Sequence, residues 1–130
     1  MISCSCGRLA AAAIALCLSA CAANLRPYAA SHEYPPKLQL LEDDVHRTGG
    51  FISETAPAGL YVASQENDDY VFYRGSAGIT ERAYFNKPVA AKGGIAVSKR
   101  DPTKAIIFTV APGGGANLSG KVLSRFVLKP

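Results

Sequence analysis

The chain has 130 residues, a formal net charge of +4 and 48% hydrophobic residues, enough for one compact domain with its own core. All four cysteines lie at or before position 21, which excludes disulfides, thiolate nucleophiles and cysteine-based metal sites from the rest of the chain. No internal repeat is visible, which excludes a solenoid.

Residues 1–20 carry the features of an export signal. Residues 1–8 form a short head whose only charged side chain is Arg8, and residues 9–18 form an apolar run. Ten helical residues reach roughly 15 Å, about half of the hydrocarbon core of a bilayer, so the run is too short to cross a membrane. The small residues that follow complete the pattern of a cleaved signal peptide.

A lipid attachment motif follows the apolar run. Leu18, Ser19, Ala20 and Cys21 resemble the lipobox of bacterial lipoproteins. The resemblance implies that Leu18, Ser19 and Ala20 are recognised by the signal peptidase, which cuts before Cys21. It also implies that the cysteine thiol carries a diacylglycerol. Two acyl chains are enough for stable membrane attachment, so the resemblance predicts a lipid-anchored protein.

The residues after Cys21 indicate where the protein is sent and how it is attached. Ala22 stands where an Asp usually retains a lipoprotein at the inner membrane, and this sorting pattern implies the periplasmic face of the outer membrane. Residues 21–37 are expected to form the lipidated cysteine and a flexible, proline-containing tether. Residues 38–130 are expected to form a single β-rich domain. This compartment disfavours nucleic acid as a partner.

Residues 38–47 allow two interpretations. Leu38, Leu41 and Val45 have helical spacing, and the glycine pair at 49–50 suits a helix end, so a short helix is favoured. Residues 38–41 also suit a short strand that leads into an acidic turn at residues 42–44.

From residue 50 onward the pattern predicts strands. Two hairpins have polar or Asp-Pro turns, and two further strands follow Gly-containing segments. The predicted strands are residues 59–65, 70–74, 79–85, 94–99, 104–111 and 121–128, with a flexible loop at 113–120. About six short strands without a βαβ rhythm predict a mainly β fold, either a small antiparallel β-sandwich or a partly open barrel.

No catalytic pattern stands out in the sequence. His32 lies in the tether and His46 lies near an acidic turn, and no nucleophile motif marks a serine partner. The acidic runs at 42–44 and 66–69 lack the spacing of a calcium loop, and residues 113–115 lack the lysine of a phosphate loop. The sequence therefore predicts a protein that is not an enzyme and holds no metal or cofactor.

The charge is divided unevenly along the chain. Residues 22–81 carry four Lys or Arg against nine Asp or Glu, a balance of −5. Residues 82–130 carry nine Lys or Arg against one Asp, a balance of +8. This asymmetry predicts either a basic face for an acidic partner or mutual neutralisation of the two halves within one sheet.

Two groups of residues are candidates for partner binding. Half of the aromatic residues on adjacent strands are expected to face the core, and the other half to form an exposed patch beside arginines. The candidates from this cluster are Tyr73, Arg74, Arg82 and Tyr84. The second group represents the basic half of the chain and consists of Lys99, Arg100 and Lys104.

These features favour a non-enzymatic lipoprotein that binds a protein or cell-wall component of the envelope. The alternative is a periplasmic inhibitor or immunity protein that blocks an enzyme such as a cell-wall hydrolase. In that case a loop, either residues 113–119 or residues 66–69, is expected to contact the enzyme.

Overall fold

The structure is a computed structural model that describes residues 21–22, 24–48, 51–123 and 125–130. The predicted signal peptide and the lipobox residues Leu18 to Ala20 lie outside the described residues, and Cys21 is described by its backbone. Among the described residues, no helix is long and apolar enough to cross a membrane.

The described residues form thirteen strands and no helix, which confirms the predicted mainly β fold. The strands are β1 (Cys21–Ala22), β2 (Arg26–Pro27), β3 (Lys37–Leu40), β4 (Asp44–Thr48), β5 (Ile52–Ala56), β6 (Gly59–Glu66), β7 (Tyr70–Arg74), β8 (Ile79–Ala83), β9 (Val89–Ala91), β10 (Gly93–Ser98), β11 (Ala105–Val110), β12 (Ala116–Leu123) and β13 (Phe126–Lys129).

Two antiparallel sheets share these strands. The large sheet has the order β1-β12-β11-β10-β7-β6-β3-β13, with β2 paired to β6. The small sheet has the order β4-β5-β8-β9 and consists of two hairpins side by side. Both predicted hairpins of the large sheet, β6–β7 and β10–β11, are confirmed.

Both faces of the central strands are covered. On one face, Tyr73, Ile95 and Ile107 belong to a core that includes Ile79 of the small sheet. On the other face, Phe72, Ala96, Phe108 and Ala116 form a second buried cluster, and Leu25 packs against it. Because both faces are buried, strands β7 and β10 are almost continuously apolar and do not alternate with polar residues.

The prediction of a short helix at residues 38–47 is wrong. The segment contains β3 and β4, separated by an exposed turn that includes Leu41. Leu38 and Leu40 are both fully buried, which is the period of two expected for a strand with one face on the core. Strand β3 pairs with β6 on one side and β13 on the other, so backbone pairing across the sheet decides the conformation.

Part of the predicted tether lies on the domain. Arg26 and Pro27 pair with β6, and the Tyr28 hydroxyl donates to the Tyr34 carbonyl. The buried Tyr73 hydroxyl donates to the Pro35 carbonyl at 2.6 Å. Residues 26–36 are therefore held against the large sheet by hydrogen bonds from both the backbone and tyrosine side chains.

The predicted final strand is divided in the structure. Strand β12 begins at Ala116, inside the segment expected to be a loop, and ends at Leu123. A separate strand, β13, then pairs with β3. The apolar residues of 121–128 thus belong to two strands, β12 near one edge of the large sheet and β13 at the other edge.

Candidate functional site

The end of the small sheet exposes five large apolar side chains. We call these residues the apolar tip: Phe51 (59% exposed), Ile52 (43%), Tyr84 (60%), Phe85 (91%) and Val89 (60%). They come from the turns or adjoining strand ends of the two hairpins, β4–β5 and β8–β9. Single exposed apolar residues are ordinary on a protein surface, whereas clusters of them are typical of interaction sites, which makes the tip the candidate site.

Pairing between the two hairpins builds the tip. Ile52 is opposite Ala83 in the register of β5 and β8, and just beyond this pair the Tyr84 amide donates to the Phe51 carbonyl at 2.6 Å. The Phe51 and Tyr84 rings stack with their centroids 5.5 Å apart. The backbone hydrogen bond and the stacked rings hold the two turns together.

Tyr84 has an unusual backbone conformation. Its φ of 55° lies in the left-handed region, which bulky residues rarely adopt. Arg82 supports this turn, since its Nε donates to the Asn86 carbonyl at 3.1 Å. The turn therefore holds a large aromatic residue in a strained conformation with its ring toward solvent, and strain of this kind is concentrated at functional sites.

The tip is positively charged. Residues 47–53 and 82–89 contain Arg47, Arg82 and Lys87 but no Asp or Glu. Arg47, Ser53 and Arg82 also line a shallow depression of about 280 Å³, together with the aromatic residues of the tip. Apolar rings beside cations provide a surface for a partner that is both apolar and anionic.

Acidic residues lie farther down the small sheet. Glu54 is directly opposite Glu81 in the pairing of β5 with β8, and opposite His46 in the pairing of β4 with β5. Burial, followed by repulsion from Glu81, raises the pKa of Glu54 above its usual value of 4.5. Glu81 also lines a depression with the tip residues Ile52 and Val89 and with Lys87.

The first group of predicted binding residues is divided between core and tip. Tyr73 is fully buried and cannot contact a partner, since its strand has apolar neighbours on both faces. Burial also raises the pKa of its hydroxyl. Arg74 ends β7 and is partly exposed. Arg82 and Tyr84 lie at the tip.

Within the second group, Lys99 is largely buried. Its ammonium lies 2.5 Å from Glu66 Oε1, and its side chain is only 13% exposed. Glu66 also accepts a hydrogen bond from the Ala29 amide at 2.7 Å, and Arg26 lies 3.9 Å away. The hydrogen bond from Lys99 is the main reason that the pKa of Glu66 lies below its usual 4.5. Lys99 is therefore part of the fold and not of a free basic surface.

Arg100 and Lys104 are exposed but lie among acidic residues. Arg100 is 3.8 Å from Asp69, and Asp101 lies in the same turn as both basic residues. We call the charged group at this place the turn cluster: Arg26, Glu66, Asp68, Asp69, Lys99 and Arg100. Its three cations and three carboxylates balance, so this part of the basic half meets the acidic half of the chain. Arg125, also from the basic half, forms an ion pair with Glu42 of the acidic half at 3.8 Å.

The small sheet joins the large sheet at the end opposite the turn cluster. Strand β10 begins at Gly93, next to β9 of the small sheet, and leads at its other end to Lys99 in the turn cluster. The structure therefore does not bring the two predicted groups together. Of the seven candidate binding residues, it places Arg82 and Tyr84 in the exposed aromatic patch.

The seven candidate residues leave out four residues of the tip: Phe51, Ile52, Phe85 and Val89. The signal that could have found the first two is an apolar pair directly after Gly49-Gly50, since a turn does not need apolar residues. Val89 carries no such signal. Its place beside Ile52 depends on β8 lying between β5 and β9.

The described residues contain no group of three or more His, Cys, Asp or Glu side chains arranged to hold a metal ion. Comparison with protein-family models, with curated proteins and with solved structures finds no match. The function must therefore be argued from the chain itself.

Proposed function

We propose that the protein is a lipid-anchored, non-enzymatic binding component of the bacterial cell envelope, attached at the periplasmic face of the outer membrane. Cys21 carries the lipid, and the apolar tip contacts another envelope component. The exposure of three aromatic side chains beside three cations, at the end of a projecting pair of hairpins, is the observation that carries this proposal.

The composition of the tip supports a binding role. Aromatic residues and arginine are enriched at the centres of binding interfaces, because they bury a large area and lose little conformational entropy. Phe85 is 91% exposed, so the core loses little when it is replaced. A ring exposed to this extent is available for contacts outside the domain.

Photo-crosslinking in cells tests the proposal. A benzoylphenylalanine introduced at Phe85 is expected to form a discrete adduct with an envelope component. The same group at the exposed Lys104, in the turn at the other end of the sheet, serves as the matched control and is expected to form no such adduct. Equal adducts at both positions, or none at Phe85, would contradict binding through the tip.

The anchor has an independent test. The Cys21→Ser variant is expected to leave the membrane fraction, whereas the Phe85→Ser variant, in which Cys21 is unchanged, is expected to stay in it. Continued membrane attachment of Cys21→Ser would contradict the lipid anchor. A single soluble enzyme as the partner at Phe85 would favour the inhibitor function over the envelope component.

A further inference from the structure

The small sheet leaves the large sheet from one end only. The chain enters or leaves the small sheet next to Leu40, Gly59, Arg74 and Gly93, each at the end of its strand. The register pairs Leu40 with Gly59, and Arg74 with Gly94, the neighbour of Gly93. All four connections therefore lie at the same end of the large sheet, which we call the tip end.

Cys21 also lies at the tip end. Its strand β1 pairs with the first two residues of β12, and Cys21 is opposite Asn117. Asn117 is opposite Thr109, which in turn is opposite Gly93. Cys21 is thus in one row with Gly93, three strand spacings away, or about 14 Å at roughly 4.8 Å per spacing. Gly93 is two residues beyond Ala91, the last residue of β9.

We infer that the apolar tip contacts the anionic headgroup surface of the same phospholipid bilayer that holds the lipid anchor. This inference rests on the proposed function and names the component that the tip contacts. The bilayer is the one envelope surface that Cys21, once lipidated, is certain to meet. The register brings the small sheet out of the large sheet beside that residue.

The chemistry of the tip fits a bilayer surface. Tyrosine rings are favoured at the membrane–water boundary, and long cationic side chains extend from it to the headgroups. Each Lys or Arg near an anionic surface strengthens the attraction of the protein to that surface. Arg47 and Arg82 line a depression with the rings, and Lys87 lines a second one with Ile52, Val89 and Glu81. Three cations against this carboxylate leave the surface positively charged.

A tryptophan reporter tests the inference, because the chain contains no tryptophan. The full-length lipidated Phe85→Trp protein is reconstituted into vesicles of phosphatidylcholine and phosphatidylglycerol in equal parts. We expect its emission to shift to the blue and to be quenched by brominated acyl chains. The Lys104→Trp protein, with its reporter in the turn at the other end of the sheet, is expected to show neither change.

Charge variants give a second measurement. Arg47→Gln with Lys87→Gln is expected to weaken the quenching in the Phe85→Trp protein, to the level seen in pure phosphatidylcholine or in high salt. Lys104→Gln is the matched control and is expected to leave the quenching unchanged. Arg82 is kept, since it supports the turn.

Three outcomes would overturn the inference. The first is water-like emission of Phe85→Trp in both kinds of vesicle, although mass spectrometry finds the diacylglycerol on Cys21. The second is equal quenching of both reporters. The third is shielding of the Phe85→Trp reporter only after solubilised envelope proteins are added, which would leave the proposed function standing with a protein as the partner. A missing lipid on Cys21 would contradict the anchor itself.

Discussion

The turn cluster and the apolar tip use charged and aromatic residues in opposite ways. In the turn cluster, Glu66 and Lys99 are buried, and Glu66 also accepts a hydrogen bond from the Ala29 amide. At the tip, Phe85 and Tyr84 stand in solvent beside Arg82. Charged side chains that pair with each other inside the fold stabilise the domain. Side chains that stand in solvent are available to a partner. The basic residues of the sequence therefore do not all mark one binding surface.

The largest effect is expected in the turn cluster. Glu66→Gln removes the carboxylate from a largely buried ion pair and leaves the Lys99 ammonium without it. We expect the free energy of unfolding to fall by about 3 kcal/mol, because an uncompensated buried charge remains. Chemical denaturation at pH 7 measures this. Asp68→Asn, at an exposed neighbouring carboxylate, is the control and should change stability by less than about 0.5 kcal/mol.

Acid titration gives a second test of the contribution of Glu66 to stability. A carboxylate whose folded pKa is lowered contributes its full stability above the ordinary pKa of 4.5, and loses it as the pH falls through the folded value. The wild-type protein should therefore lose stability below about pH 4.5, more steeply than Glu66→Gln. Denaturation at a series of pH values tests this, and parallel profiles would contradict the role of Glu66.

Within the tip, two aromatic residues are expected to differ. Phe51→Ala removes the stacking partner of Tyr84 and should lower the free energy of unfolding by about 1 kcal/mol. Phe85→Ala, at the most exposed ring, should lower it by less than about 0.5 kcal/mol. A larger loss for Phe85→Ala would show that this ring supports the fold and would weaken the case for a binding role.

A small gain in stability is expected at the base of the tip. Glu54 is disfavoured as a charged group by burial and by Glu81, so its raised pKa makes ionisation costly in the folded state. Glu54→Gln should raise stability at pH 7 by about 0.5 kcal/mol, the usual size of a like-charge pair across strands. This gain should vanish below pH 4.5, where the carboxyl is protonated in both states. A gain that is independent of pH would contradict this explanation.

The sequence predicted the strands that have clear turns on both sides. The hairpins β6–β7 and β10–β11 are correct because Glu66–Asp69 and Arg100–Thr103 are strong turn formers. The prediction of a helix at 38–47 is wrong, because three apolar residues at helical spacing stabilise a helix less than backbone pairing with later strands stabilises β3 and β4. In β10, burial on both faces removes the alternation by which a sequence shows which side chains share a face.

The candidate site was only partly predictable. Arg82 and Tyr84 were found because an aromatic residue close to an arginine is typical of interfaces. Tyr73 fits the same pattern and is buried, because the sequence does not show which half of an aromatic cluster faces the core. Lys99 was included for its charge, although Glu66 neutralises it from 33 positions away.

The sequence by itself determined the β class of the domain, two of its hairpins and the lipobox resemblance, because each depends on residues close together in the chain. The tertiary structure alone decided which charges are paired, which aromatic rings are buried, and that Cys21 and the small sheet share one end of the large sheet. These features depend on the order and register of strands far apart in the chain. Local patterns carry no information about that order, since many strand arrangements satisfy the same turns and the same apolar spacing.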